Sequence, residues 1–120
     1  MSYVDGFIVP VPKKKLAAYK RMAAKAGKIW RGYGATMFYE CAADDVSVGK
    51  RTSFPRSVKL KPSETVIFSF IGYRSRADRD RINAKVMKDP RIAKMMKNKK
   101  EVPFDAKRMI YGGFKTIVRG

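Results

Sequence analysis

Four charged residues stand in or beside stretches that alternate like β-strands: Asp5, Glu40, Asp105 and Arg108. An acid set into an apolar strand row can exchange protons or anchor a ligand, because desolvation raises its pKa. On that reading Asp5 and Glu40 sit near an uncovered face of a sheet. The competing reading makes them buried hydrogen-bonded or ion-paired acids, with Arg108 or strand-end amides as partners. It is the simpler of the two, since structural networks perturb pKa values as well. Trp30, Tyr39, Phe68, Phe70 and Tyr111 would supply apolar walls. With Asp5, Glu40 and Arg108 they form the candidate pocket for a planar or apolar ligand. Plain core packing explains the same aromatic residues equally simply.

Other chemistry is excluded by composition. The chain has no His, which removes His-based triads, imidazole metal sites and His general bases. One cysteine, Cys41, permits no internal disulfide and makes a structural zinc site untenable, so no metal is expected. Cys41 lies in a strand pattern and reads as a small core hydrophobe rather than a reactive thiolate. Gly112-Gly113 falls inside a strand with no helix following, so it is no phosphate loop, and no cofactor is expected. Arg79-Asp-Arg81 and Asn83 read as a solvated, ion-paired helix face. Ser53-Phe-Pro55 reads as a lid or a subunit contact.

The elements that must position these residues follow from periodicity. Residues 2–11 alternate as a first strand, with Asp5 on the row of Tyr3, Phe7, Val9 and Val11. Pro12 opens a helix to about Tyr33, with Leu16, Tyr19, Ala23, Ala26, Trp30 and Tyr33 on one face. Lys13, Lys14 and Lys15 crowd the positive end of its macrodipole, where acids are favoured. Residues 35–43 form a second strand. Residues 44–62 read as a long loop, with a short extra strand pair as an option. Residues 65–73 form the third strand. Ser75 and Asp78 mark the start of a second helix running to about Lys88, with Ala77, Ile82, Val86 and Met87 turned inward. Asp89-Pro90 breaks it, and Ile92 to Met96 make a short continuation. Lys97-Asn-Lys-Lys100 reads as a polar turn. Residues 107–118 form the last strand.

The order β-α-β-loop-β-α-β predicts one α+β domain over 1–120 of the ferredoxin-like kind, its helices on one face of an antiparallel sheet. The strands at 65–73 and 107–118 are apolar on both alternating rows, so both sheet faces need cover. Two helices cover one. A second copy of the chain, a ligand or both must cover the other.

Charge sets the remaining expectations. There are 28 basic and 10 acidic residues, a formal net charge of +18. Such a chain attracts polyanions, both nucleic acid and acidic proteins, without sequence specificity. No apolar run spans a bilayer, so no membrane insertion is expected. No signal-peptide pattern opens the chain, and the lone cysteine suits a reducing compartment, so a cytoplasmic location is expected.

Several segments together resemble the YbaA-like family of uncharacterised bacterial proteins, within the dimeric α/β-barrel superfamily. They include Tyr3-Val-Asp-Gly-Phe7, Tyr39-Glu-Cys41, Ser53-Phe-Pro55, Arg79-Asp-Arg-Ile-Asn83, Asp89-Pro-Arg91, Pro103-Phe-Asp105 and Lys107-Arg-Met-Ile-Tyr-Gly-Gly-Phe114. The resemblance covers almost the whole chain and implies a homodimer with packed sheet faces. It implies no established reaction. Small cofactor-independent monooxygenase- or isomerase-like chemistry on an apolar ligand in the barrel is the enzymatic alternative, and non-specific nucleic-acid binding the third. Cations fill exposed positions where the family carries acids. Two origins fit that pattern: deliberate supercharging of a natural frame, or a naturally basic homologue with a polyanionic partner.

Overall fold

The computed structural model describes residues 2–97 and 102–120. Strands β1 (Tyr3–Pro12), β2 (Met37–Ala42), β3 (Glu64–Tyr73) and β4 (Ile110–Lys115) form one sheet in the order β2-β3-β1-β4. Every neighbouring pair is antiparallel. Helices α1 (Leu16–Gly32), α2 (Phe54–Ser57), α3 (Arg76–Lys88) and α4 (Pro90–Met96) complete the chain. The expected ferredoxin-like α+β order is therefore the observed one.

Strand register sorts the residues by face. Asp5 stands opposite Ile71 and Gly113, and Glu40 opposite Ser69. Tyr3, Asp5, Phe7, Val9 and Val11 point to the helix side with Ile67, Ile71 and Tyr73. The core lies there, where Ile29 of α1, Ile82 and Val86 of α3 and Ile92 of α4 cover the sheet. Tyr19 and Ala23 of α1 cover its other end, on Val9, Val11 and Ile67. Gly27 lets α1 approach closely, since a β-carbon there would meet Phe38 Cδ1 at 2.8 Å.

The helix starts follow local chemistry. Ser75 Oγ accepts a bond from the Asp78 amide at 3.0 Å and caps α3. Asp89 accepts from the Arg91 amide at 2.8 Å, and Pro90 occupies the first turn of α4. By contrast α1 starts later than expected: Lys13–Lys15 form an exposed 3-10 turn without a side-chain cap or a nearby acid.

Several expectations are corrected. The 44–62 segment carries no strand pair but the short helix α2, which Ser53 caps through the Arg56 amide at 3.0 Å. Cys41 is exposed, because β2 is an edge strand and Cys41 lies on its uncovered row. Met87 is 62% exposed and Ala77 is exposed too, because the fully buried residues of α3 are Ile82 and Val86. The last strand is shorter than expected: β1 starts at Tyr3, which pairs with Lys115, and one further backbone bond, from the Thr116 amide to the Ser2 carbonyl at 3.2 Å, closes the ladder. Ile117 and Val118 lie beyond it, exposed. The polar turn expected at 97–100 lies, except for Lys97, outside the described residues.

The second sheet face is only partly covered. Pro10, Val58 and Val66 are buried at one end, where the segment around α2 folds across, and the Phe54 ring lies 6.1 Å from that of Phe68. Pro10 suits a central strand here because β4 pairs only as far as Ile8, leaving no partner for a donor. Elsewhere the face is bare: Tyr39, Phe68, Ile110 and Phe114 are 42–63% exposed. Tyr39 stacks on Phe70 at 5.2 Å. No Lys or Arg of the four strands points this way.

Candidate functional site

The eight candidate residues fall into four places. The first is a network around Asp5, which is almost fully enclosed at 1% exposure. Arg79 Nη1 donates to Asp5 Oδ1 at 3.2 Å, and Tyr73 donates to Asp5 Oδ2 at 3.1 Å. Asn83 lies 3.5 Å from the same oxygen, and Trp30 Nε1 donates to Asn83 Oδ1 at 3.0 Å. Arg79 also donates to the hydroxyls of Tyr111 at 2.8 Å and Tyr3 at 3.2 Å. Its Nε lies 2.9 Å from Asp80 as an ion pair without hydrogen-bond alignment. Tyr111 in turn stacks on Phe7 at 4.9 Å. The network ties β1, β3 and β4 to α1 and α3.

The solvated face expected for Arg79 and Asn83 is thus corrected: both lie on the inner side of α3, against Asp5. The sequence pattern carries a signal for this, since Asn83 follows Ile82 and precedes the buried Val86 by three positions. Burial pushes the Tyr73 hydroxyl pKa up, and the Asp5 charge pushes it further. Burial likewise raises Tyr111, with Asp5 adding to the shift and Arg79 opposing it. Both phenols therefore stay protonated and act as donors or acceptors, not as nucleophiles.

The second place is a groove of about 800 Å³ between α1 and the edge strand β2. Glu40 lines it and accepts a bond from Tyr19 at 2.7 Å. Although Glu40 keeps solvent contact, enough protein surrounds its carboxylate that desolvation raises its pKa, with Tyr19 and Ser69 partly offsetting the rise. Burial and the Glu40 charge raise Tyr19 as well.

Arg108 belongs to neither site. Its guanidinium grips Glu64 through two bonds, at 2.9 and 2.6 Å, and Asp105 at 2.9 Å. It also donates to the carbonyls of Val58 and Lys59. This clasp fastens the segment around α2 to the approach to β4. Hydrogen bonds from Arg108 hold the pKa values of Glu64 and Asp105 below their ordinary ones.

Tyr39, Phe68 and Phe70 make up the fourth place, the bare sheet face. Asp5 and Glu40 point to the helix side instead, so the sheet separates these aromatics from both acids. Among the described residues no three acids or cysteines are grouped to hold a metal. Among them, no helix is long and apolar enough to cross a membrane.

Element order, strand order and the placement of α1, α3 and α4 on one side define a ferredoxin-like α+β protein whose second sheet face is covered only at the end where the α2 segment crosses it. The chain belongs to the family described as protein of unknown function (DUF1428), whose pattern matches residues 2–106. It is 49% identical over 118 residues to the uncharacterized protein YbaA of Escherichia coli strain K12, covering 98% of both chains. YbaA of Shigella flexneri matches with the same identity and coverage. A de novo designed protein, Foldit4, aligns over 97% of this chain and 99% of its own, with a TM-score of 0.48 and 11% identity. That likeness bears on neither the fold nor the function.

Proposed function

We propose that the protein is a homodimer in which two bare sheet faces pack together into an α/β barrel, with no reaction assigned to it. One observation carries this reading: a sheet face free of Lys and Arg on a chain of net charge +18. The one acid on those strand rows, Glu64, is neutralised by Arg108. A polyanion finds no Lys or Arg on the strands there, and an exposed apolar face is costly in water. A second copy presents the same neutral, aromatic surface by identity, and sheets pack face to face about 10 Å apart. A chamber between such faces would be lined by Tyr39, Phe68 and Phe70 with the Cys41 thiol opposite Phe68 but no carboxylate, Lys or Arg of the strands beside them, which gives acid–base chemistry inside the barrel little support. Sedimentation equilibrium at neutral pH and moderate salt tests the dimer; a monomer that stays folded at every accessible concentration overturns it.

A second reading concerns the surface. Lys13–Lys15 and the basic residues between Lys50 and Lys61 are exposed. They support loose, salt-sensitive adhesion to nucleic acid or acidic proteins. Deliberate supercharging and natural basicity are both compatible with that surface. About half of the 118 positions aligned with YbaA differ, more than the 28 basic residues, so the differences are not confined to added cations. An exposed Cys41 thiol suits the reducing, cytoplasmic setting we infer.

A further inference from the structure

We propose that the groove between α1 and β2 binds a small apolar molecule carrying a hydrogen-bond donor at one end and an anionic group at the other. Ala23 and Ala24 of α1 line the groove with little side-chain bulk, while the Phe38 ring packs into the space that a side chain on Gly27 would take. At about 800 Å³ it has the size of a small-molecule site. Leu16, Met37, Phe38 and Ile67 give it an apolar lining.

Two polar features set the ligand class. Glu40 is the first. Asp5, Glu64, Asp78 and Asp80 of the regular elements all have Arg partners, whereas no ion pair reaches Glu40 among the described residues. In a chain with 28 cations, two of them lysines lining the same groove, that is a specific arrangement. Its Oε1 takes the Tyr19 hydrogen, and a carboxylate has further lone pairs for an N–H or O–H donor. The raised pKa of Glu40 fits a group held partly out of water. Lysines 20 and 28 are the second feature. They are exposed, line the groove from α1, and make no ion pair among the described residues. Arg31 is engaged elsewhere, on the carbonyls of Ala35 and Thr36. The donor end of a ligand would meet Glu40 beside Tyr19, its body the apolar lining, and its anion Lys28, about two turns further along α1, with Lys20 standing at the Glu40 end.

The probe 1-anilinonaphthalene-8-sulfonate has all three parts: an anilino N–H, an apolar body and a sulfonate. Its emission is titrated against the full chain at about 0.15 M salt, where distant charges are screened. Saturable binding at one probe per chain is expected. Glu40→Ala supplies the decisive sign. Removing a negative charge strengthens anion binding if bulk charge governs it, but weakens it roughly tenfold if Glu40 accepts the N–H. Lys28→Glu should weaken binding more than Lys85→Glu, which makes the same charge change on α3. Ala24→Phe, which fills the groove, should abolish saturation, while Phe114→Lys on the bare face should leave it intact. Tighter binding by Glu40→Ala, equal effects of the two lysine variants, loss with Phe114→Lys, or no saturation each overturns the proposal.

Discussion

The ring of Tyr3 occupies the space that a side chain on Gly113 would need. A β-carbon there would lie 2.8 Å from Tyr3 Cε2, closer than packed atoms tolerate. Tyr3 cannot easily swing aside, because its hydroxyl accepts from Arg79 and the guanidinium lies 5.0 Å over its ring. Gly113→Ala is therefore expected to cost about 1–3 kcal/mol, read as a lower urea midpoint. Gly112→Ala is the control. Its nearest neighbour is the exposed Phe114 ring at 3.4 Å, so its midpoint should change by less than about 0.5 kcal/mol equivalent. Equal effects at the two glycines would refute this account of the paired glycine.

Asp5 and Arg79 form the second test. Asp5 is enclosed and the Arg79 side chain only 14% exposed, so neither charge has ready access to water. Removing one partner strands the other. Asp5→Ala should lose about 3–5 kcal/mol, and pairing it with Arg79→Met should recover much of that. Unfolding is compared at one fixed protein concentration, because dimerisation would shift the midpoint. Near-normal stability of Asp5→Ala would show that the network does not pin the helices to the sheet.

Two glutamates should make stability depend on pH in opposite senses. Hydrogen bonds from Arg108 lower the pKa of Glu64 below 4.5. Its contribution is complete above that value and fades as pH falls through the lowered one. Burial raises the pKa of Glu40 above 4.5. Its contribution is complete below 4.5 and is lost as pH rises through the raised value. Urea midpoints between about pH 3 and pH 8 separate them. Arg108→Met should flatten the fall in stability on the acid side. Glu40→Gln should raise the midpoint at pH 7 relative to the parent protein and change it less near pH 4. A Glu40→Gln effect confined to low pH would mean that the Glu40 carboxylate is not held out of water in the folded chain.

How far these sites can be read from sequence depends on the face each strand turns inward. Alternation places Asp5 on the row of Tyr3 and Phe7, which is correct. It cannot say which row the helices cover, because Val4, Ile8, Phe68 and Phe70 are apolar as well. Asp5 and Glu40, expected toward the bare face, therefore point to the helix side, Asp5 enclosed there and Glu40 in the open groove beside α1. Arg108 is expected beside these acids, but its partner Glu64 is 44 positions away and only folding of the α2 segment brings it close. Helix starts are more legible, since Ser75 and Asp89 act within three residues of themselves. Ser53 followed by Pro55 carries the same local signal for α2, masked by the polar length of the segment around it.

Phe114 offers the clearest test of the bare face. Its ring lies across two glycines, 3.6 Å from where a β-carbon on Gly6 would stand and 3.4 Å from that on Gly112. At 63% exposed it contributes little to the fold of one chain, so replacing it should leave unfolding in the monomer nearly unchanged. Phe114→Lys puts a cation on strand rows that carry none, where it would meet an identical cation-bearing face. Dimer dissociation constants should rise by roughly a hundredfold or more, as for an unpaired charge buried in an interface. Salt supplies an independent check. Two chains of +18 repel, so association of the parent protein should tighten as salt rises from about 0.05 M to 0.5 M. Binding of nucleic acid should weaken over the same range, because it is driven by counterion release. Sedimentation run on both proteins across this series distinguishes the two kinds of contact by the sign of the salt effect. Dimers that survive Phe114→Lys unchanged would place the contact on another surface.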